Sequence, residues 1–166
     1  MMSPMASRQG RQLQRYSKSG RRLVVGCIPY KFDLSDDEPS VQVLIITSSK
    51  GNGFMLPKGG WETDETIKQA VSREAMEEAG VRGTIEGRIG TWVYKSRTYE
   101  AHYQAIMFPM KITEELAQWP EMHQRQRAWV SIAEAKERCQ HWWMKEALDR
   151  MVKTIQVHQS GNELIN

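Results

Sequence analysis

The segment "KGGWETDETIKQAVSREAMEEAGV", residues 58–81, puts carboxylates where a helix pattern calls for apolar side chains. Read at 3.6 residues per turn, Ile67, Val71 and Ala75 define an inward face. Glu74 and Glu78 fall within that arc and Glu77 flanks it, whereas an amphipathic helix keeps such acids in water. Carboxylates held within about 5 Å repel by roughly 3 kcal/mol per pair at an effective dielectric of about 20. Desolvation adds to that cost. A divalent cation would offset both, and Mg2+ takes one or two carboxylates together with waters and substrate phosphates. The bland alternative is a solvated acidic face on a rotated helix, with Lys68 and Arg73 as intrahelical partners. The wheel alone leaves both readings open.

The elements that must position these residues follow from local pattern. "RRLVVGCIPYKF" and "VQVLIITSS" predict two strands, joined by the turn-rich acidic stretch "LSDDEPS". "KGNGFMLPKGG" is a glycine-rich passage around one short apolar run. Thr63 or Asp64 is placed to cap the glutamate-bearing helix, and Gly80 to end it in a left-handed conformation. "GTIEGRIGTWVYKS" and "YEAHYQAIMFPMKI" predict two strands joined near "KSRTYE", and "RQRAWVSI" a further one. "AEAKERCQHWWMKEALDRMVKTIQ" carries continuous helical periodicity, with Ala135, Cys139, Trp142, Met144, Ala147, Leu148 and Met151 at three- and four-residue spacing. One helix mid-chain and one at the end, interleaved with strands, make the class α/β with a mixed sheet.

At 166 residues, 40% hydrophobic and 26% charged, the chain fits one soluble globular domain. No apolar run could span a bilayer and no signal-peptide core is present, so no membrane partner is expected. Cys27 and Cys139 read as reduced thiols of an intracellular protein. His102, His123, His141 and His158 show no metal-ligand spacing. From Met1 to Arg22 every charge is basic (Arg8, Arg11, Arg15, Lys18, Arg21 and Arg22), and the first acid is Asp33. Residues 1–17 are expected as a basic, partly disordered tail, 18–157 as the folded domain and 158–166 as a frayed terminus. A transit peptide is the minority reading of the N-terminus, the main one being a cytoplasmic or nuclear protein.

Gly59, five residues, Glu65, seven residues and then "REAMEEAGV" reproduce the Nudix signature at every polar position. Ala75 stands where the family usually has Ile, Leu or Val. On these residues the chain resembles the Nudix hydrolases, which cleave a diphosphate linked to some further group. The resemblance implies the Nudix fold, a mixed sheet sandwiched between helices, with Mg2+ or Mn2+ as cofactor. By position it implies Glu74 and Glu78 as metal ligands, helped by a backbone carbonyl at Lys58 or Gly59. Glu77 would bind metal or act as base on the attacking water, and the base varies across the family. Arg73 and Glu65 would pair and orient the others.

From Arg15 to Ala147 the chain is similar to the diphosphoinositol polyphosphate phosphohydrolases, especially plant-type relatives, through "GCIPY", "TSSKGNG", "PKGGWETDE", "EEAGVRGTI" and "RQRAWV". A heavily phosphorylated inositol ring calls for a ring of Arg and Lys. The candidates are Lys18, Arg21, Arg22, Ser48, Ser49, Lys50, Lys58, Gly60, Arg97 and Arg125, with Arg127 beside them. Lys58 departs from the animal relatives, which have glycine there. A small polyanionic substrate and a monomer are expected, with nucleic acid disfavoured. Six tryptophans, and Tyr99 near where dinucleoside tetraphosphate hydrolases carry a tyrosine, favour a dinucleoside polyphosphate as the alternative substrate. Arg97 occupies the region of the signature proline of ADP-ribose hydrolases. A non-catalytic phosphate- or RNA-binding module on this fold would suit the basic N-terminus but has no need of Glu65, Arg73, Glu74, Glu77 and Glu78 together.

Overall fold

The computed structural model describes residues 6–51, 53–96 and 100–165, with side chains as far as Ile155. Strand β1 (Arg22–Asp33) is the hub. Seven consecutive residues, Val24–Tyr30, are buried, so both faces of the strand are covered. It pairs antiparallel with β2 (Ser40–Thr47) at its far end and with β4 (Lys58–Gly60) over Val24–Gly26. Along its other edge it runs parallel to β7 (His102–Glu115). Strand β2 also pairs with β3 (Phe54–Met55) and β8 (Arg127–Ser131), while β5 (Val81–Ile85) and β6 (Gly90–Lys95) both pair antiparallel with β7. The result is a mixed eight-stranded sheet.

Helix α1 (Ile67–Ala79) packs on β1, β4 and β5 through Ala70, Val71, Ala75 and Ala79, all fully buried. Helices α2 (Ile132–Arg138) and α3 (Trp142–Ile165) pack on each other, α2 also against β2 and β8 and α3 against β6. Among the described residues no helix is long and apolar enough to cross a membrane. Cys27 and Cys139 are buried free thiols.

Several boundaries differ from expectation. Helix α1 is capped by Thr66, not Thr63 or Asp64: its hydroxyl accepts the Gln69 N–H while Gln69 returns a bond to the Thr66 N–H. The preceding residues are held instead in a turn, where the Glu62 N–H donates to Glu65 at 3.0 Å. Gly80 ends the helix with φ 65°, as expected. "GTIEGRIGTWVYKS" divides into β5 and β6, because Glu86 and Ile89 each donate to β7 across a kink between them. The terminal helix divides at Cys139–His141, where the Gln140 N–H donates to the Phe54 carbonyl at 3.3 Å. The described part of the N-terminal segment makes specific contacts: Ser7 donates to Glu121 and the Arg8 N–H to Glu77, while Arg15 lies over Trp61 and donates to the carbonyls of Glu62, Thr63 and Glu65.

Candidate active site

Glu65 in the turn before α1, and Glu74, Glu77 and Glu78 on its inner face, are all buried. Arg73 ties them together. It donates to both oxygens of Glu65 at 2.6 and 3.0 Å, to Glu74 at 2.8 Å, to Glu77 at 3.2 Å and to the Gly60 carbonyl at 2.9 Å. Only the planar guanidinium fork can serve so many acceptors at once. Glu78 accepts the Lys58 N–H at 3.0 Å and Arg125 at 3.2 Å. Arg125 also donates to Glu121 at 2.9 Å and to the Thr47 carbonyl at 2.9 Å. Each of its three guanidinium nitrogens thus meets a protein acceptor.

Electrostatics agree with crowding. Burial, then the charge of Glu78, pushes the Glu74 carboxyl up to about 8 against the pull of Arg73. Burial raises Glu78 to about 7, with Arg125 and Lys58 pulling it back. Burial also raises Glu77, opposed by the Arg8 N–H. Burial lowers the Lys58 ammonium, opposed by Glu78 and Glu74. Burial is the first cause of each rise, so these carboxylates lack the water that would stabilise their charge, which is a condition that favours a divalent ion. The backbone makes room at the same place: a Cβ on Gly59 would lie 2.2 Å from the Glu74 carboxylate. Among the described residues no three acid, histidine or cysteine side chains form a metal cage by themselves. The groups gathered here, the Glu74 and Glu78 carboxylates beside the Lys58–Gly59 backbone, are hard oxygen donors of the kind Mg2+ takes together with water and phosphate oxygens.

Two cavities meet here. One, of about 410 Å3, is walled by Gly59, Gly60, Arg73, Glu74, Glu77 and the N-terminal segment. The other, of about 580 Å3, is walled by Ser48, Lys50, Lys58 and Arg125 together with Tyr94, Tyr103 and Trp143. Arg22, Ser49 and Glu78 line both and form the lip between them. Of the expected substrate residues, Arg22, Ser48, Ser49, Lys50, Lys58, Gly60 and Arg125 are therefore brought together. Lys18 and Arg21 line neither cavity. The Ser17–Gly20 turn, closed by the Arg21 N–H on the Ser17 hydroxyl at 3.0 Å, carries Lys18 into solvent. Arg21 instead faces Gln104 at 3.5 Å. Arg97 and Tyr99 lie outside the described residues. Most tryptophans are core or half-buried, but Trp142, read above as part of an apolar helix face, is 56% exposed at the cavity rim.

Four residues escaped the sequence reading. Glu121 pairs with Arg125 and accepts from the Ser7 hydroxyl at 2.8 Å. Arg8 donates its N–H to Glu77 at 2.9 Å and pairs with Glu62 and Asp64. Arg11 lines the basic cavity. Gln14 is buried beside Arg22. All but Glu121 belong to the segment dismissed as tail, and none sits in a periodic pattern.

The NUDIX domain profile matches residues 20–151, spanning the glutamates and most of the basic wall. The chain belongs to the Nudix family. Nudix hydrolase 17, mitochondrial, of Arabidopsis thaliana is 53% identical over 154 residues, covering 91% of this chain and 84% of that protein. Nudix hydrolase 4 of the same plant is 45% identical over 152 residues, covering 89% and 73%. Among solved structures, a NUDIX hydrolase from Nitrosomonas europaea aligns with a TM-score of 0.66 at 18% identity, covering 81% of this chain and 90% of that one. The C. elegans Ap4A hydrolase in a binary complex aligns at 0.64 and 17%, covering 81% and 97%. Identities that low speak for the Nudix fold alone. As a Nudix hydrolase the chain cleaves pyrophosphate bonds in small phosphorylated substrates, in a family that generally uses divalent metals.

Proposed function

We propose that this Nudix hydrolase acts on diphosphoinositol polyphosphates, removing the terminal phosphate of a pyrophosphate group with Mg2+ or Mn2+. The observation that carries this reading is the shared lip of Arg22, Ser49 and Glu78, which joins a basic cavity to the carboxylate cavity. A polyphosphorylated ring seated in the basic cavity would present its pyrophosphate across that lip. Arg22, Ser48, Ser49, Lys50 and Lys58 would bind the ring phosphates, arginine offering the paired donors that phosphate prefers.

Glu74 and Glu78, with a carbonyl of Lys58 or Gly59, would hold the metal. When bound, it supplies charge neutralisation on the anhydride oxygens and a more acidic attacking water. Glu77 either joins the ligands or accepts the proton from that water. Arg73, anchored on Glu65, fixes the carboxylates before substrate arrives, so orientation costs little during reaction.

A dinucleoside polyphosphate is the second reading, favoured by the exposed Trp142 indole at the rim, on which a base can stack. We place the protein in the cytoplasm or nucleus as a monomer; relatives named mitochondrial, Nudix hydrolases 17 and 18 of Arabidopsis, supply the organellar alternative. Reversing the charge at Lys50 separates the substrates. Lys50→Glu should raise KM for diphosphoinositol pentakisphosphate more than for diadenosine hexaphosphate. An equal effect on both would remove the basis for the inositol reading.

A further inference from the structure

Gln14 is a polar side chain only 8% exposed, in the segment ahead of β1. Its amide nitrogen donates to the carbonyls of Arg15 at 2.8 Å, Leu23 at 2.9 Å and Trp61 at 3.3 Å. Each of those carbonyls already accepts a backbone N–H, from Leu23, Trp61 and Arg15 in turn, at 3.1, 3.0 and 2.9 Å. The nitrogen end therefore reinforces contacts that the main chain makes without it. The oxygen end makes a contact with no such backup: it accepts Arg22 Nε at 2.8 Å.

That bond bears on the lip between the cavities. Arg22 lies over the Tyr103 ring at 5.2 Å, so one face of the guanidinium is set by the ring and one edge by Gln14. Among the described residues its two terminal nitrogens have no hydrogen-bond partner. They form the edge that takes phosphate oxygens in pairs. Gly60 leaves the space for this arrangement, since a Cβ there would meet Gln14 Oε1 at 2.1 Å and Arg22 Nη2 at 2.8 Å.

We propose that Gln14 is a positioning residue that aims the Arg22 guanidinium at a phosphate lying across the lip between the two cavities. The proposal rests on the reading of Arg22 as a phosphate ligand. A guanidinium fixed before binding surrenders little side-chain freedom when phosphate arrives, so affinity follows from the amide although the amide never touches the ligand.

Calorimetric binding of myo-inositol hexakisphosphate and inorganic pyrophosphate tests this on the full chain. Arg22→Ala and Gln14→Met should each weaken hexakisphosphate about tenfold, the loss expected for one charged hydrogen-bonding contact. The double variant should bind no more weakly than Arg22→Ala alone, because Gln14 acts through Arg22. The protected Arg22 Nε–H resonance should disappear in Gln14→Met. Wild-type affinity in Gln14→Met beside weakened binding in Arg22→Ala would overturn the positioning role while leaving the site reading intact, as would losses that multiply in the double variant. Wild-type affinity in Arg22→Ala would overturn both. If Gln14→Met does not fold, the wild-type protein decides: the Arg22 Nε–H should exchange slowly with solvent before any phosphate is added, because Gln14 already holds it. Fast exchange of that proton in the free protein would overturn the proposal.

Discussion

The backbone N–H of Glu121 donates to the carbonyl of Glu77 at 3.0 Å, so the last turn of the glutamate-bearing helix is held by the loop between β7 and β8. The same loop and the strand after it serve each following carbonyl. Trp119 Nε1 donates to Glu78 at 3.2 Å, Arg127 to Ala79 at 2.8 Å and the Leu116 N–H to Gly80 at 2.8 Å. Helix ends normally leave such carbonyls to solvent or to caps. Here they are tied to a second segment, and that segment also brings Glu121 to the carboxylate cavity.

Arg127 stacks on Trp119 at 3.9 Å and also donates to Leu116. Arg127→Ala should cost about 2–3 kcal/mol, since its charged hydrogen bonds go to part-buried carbonyls that would lose their partner. That corresponds to a fall in Tm of roughly 5–10 °C. Trp119→Phe removes one donor and keeps the packing, so it should cost about 1–2 kcal/mol. Thermal melts decide; a neutral Arg127→Ala would mean that the loop does not brace the helix.

Gly59→Ala tests the closeness of β4 to α1. A Cβ 2.2 Å from the Glu74 carboxylate must displace it or the strand. If Glu74 holds the metal as proposed, a shift of that size should lower kcat by about 100-fold. Wild-type turnover in this variant would show that Glu74 need not occupy its observed place.

Glu77→Gln and Glu78→Gln keep the side-chain shape and remove the charge. Turnover should fall by at least ~100-fold in each, with Tm unchanged or raised, because each substitution relieves carboxylate crowding. Retained Mg2+-dependent hydrolysis in both would refute the metal-helix assignment.

Stability should depend on pH in a definite sense. Glu74 and Glu78 have folded pKa values raised from 4.5 to about 8 and about 7, so the folded state binds their protons more tightly than the unfolded one. Their contribution is full below 4.5 and is lost as pH rises towards about 8. Lys58, shifted downward, acts in the opposite sense. Without metal, Tm should fall between about pH 5 and about pH 8, and Mg2+ should restore more of it at the upper end, where both carboxylates ionise. A flat profile without metal would contradict the buried, crowded state of these groups.

The glutamate helix was legible because its chemistry is written in fixed spacing. Strands β1, β2 and β8 were legible from their apolar runs. Strand β4 was not, since Lys58–Gly60 offers two glycines and no alternation, and its pairing comes from β1. The Thr66–Gln69 capping box was present in the sequence, but Thr63 and Asp64 competed for the role until the Glu62–Glu65 turn and the Arg8 ion pair claimed that stretch. The break at Cys139–His141 was hidden because helical periodicity runs through it. The contacts of Cys139 and Gln140 with Phe54 mark the interruption. Gln14 and Glu121 carry no local signal for a place at the site, since what brings them there lies far along the chain: Trp61 for Gln14, and Ser7 and Glu77 for Glu121.

The most direct test is phosphate release with Mg2+ on diphosphoinositol pentakisphosphate and diadenosine hexaphosphate, measured side by side as kcat/KM. The basic cavity opening onto the carboxylate lip predicts a much larger value for the inositol compound. A preference for the dinucleotide would contradict it and would make Trp142 at the rim the residue that selects substrate.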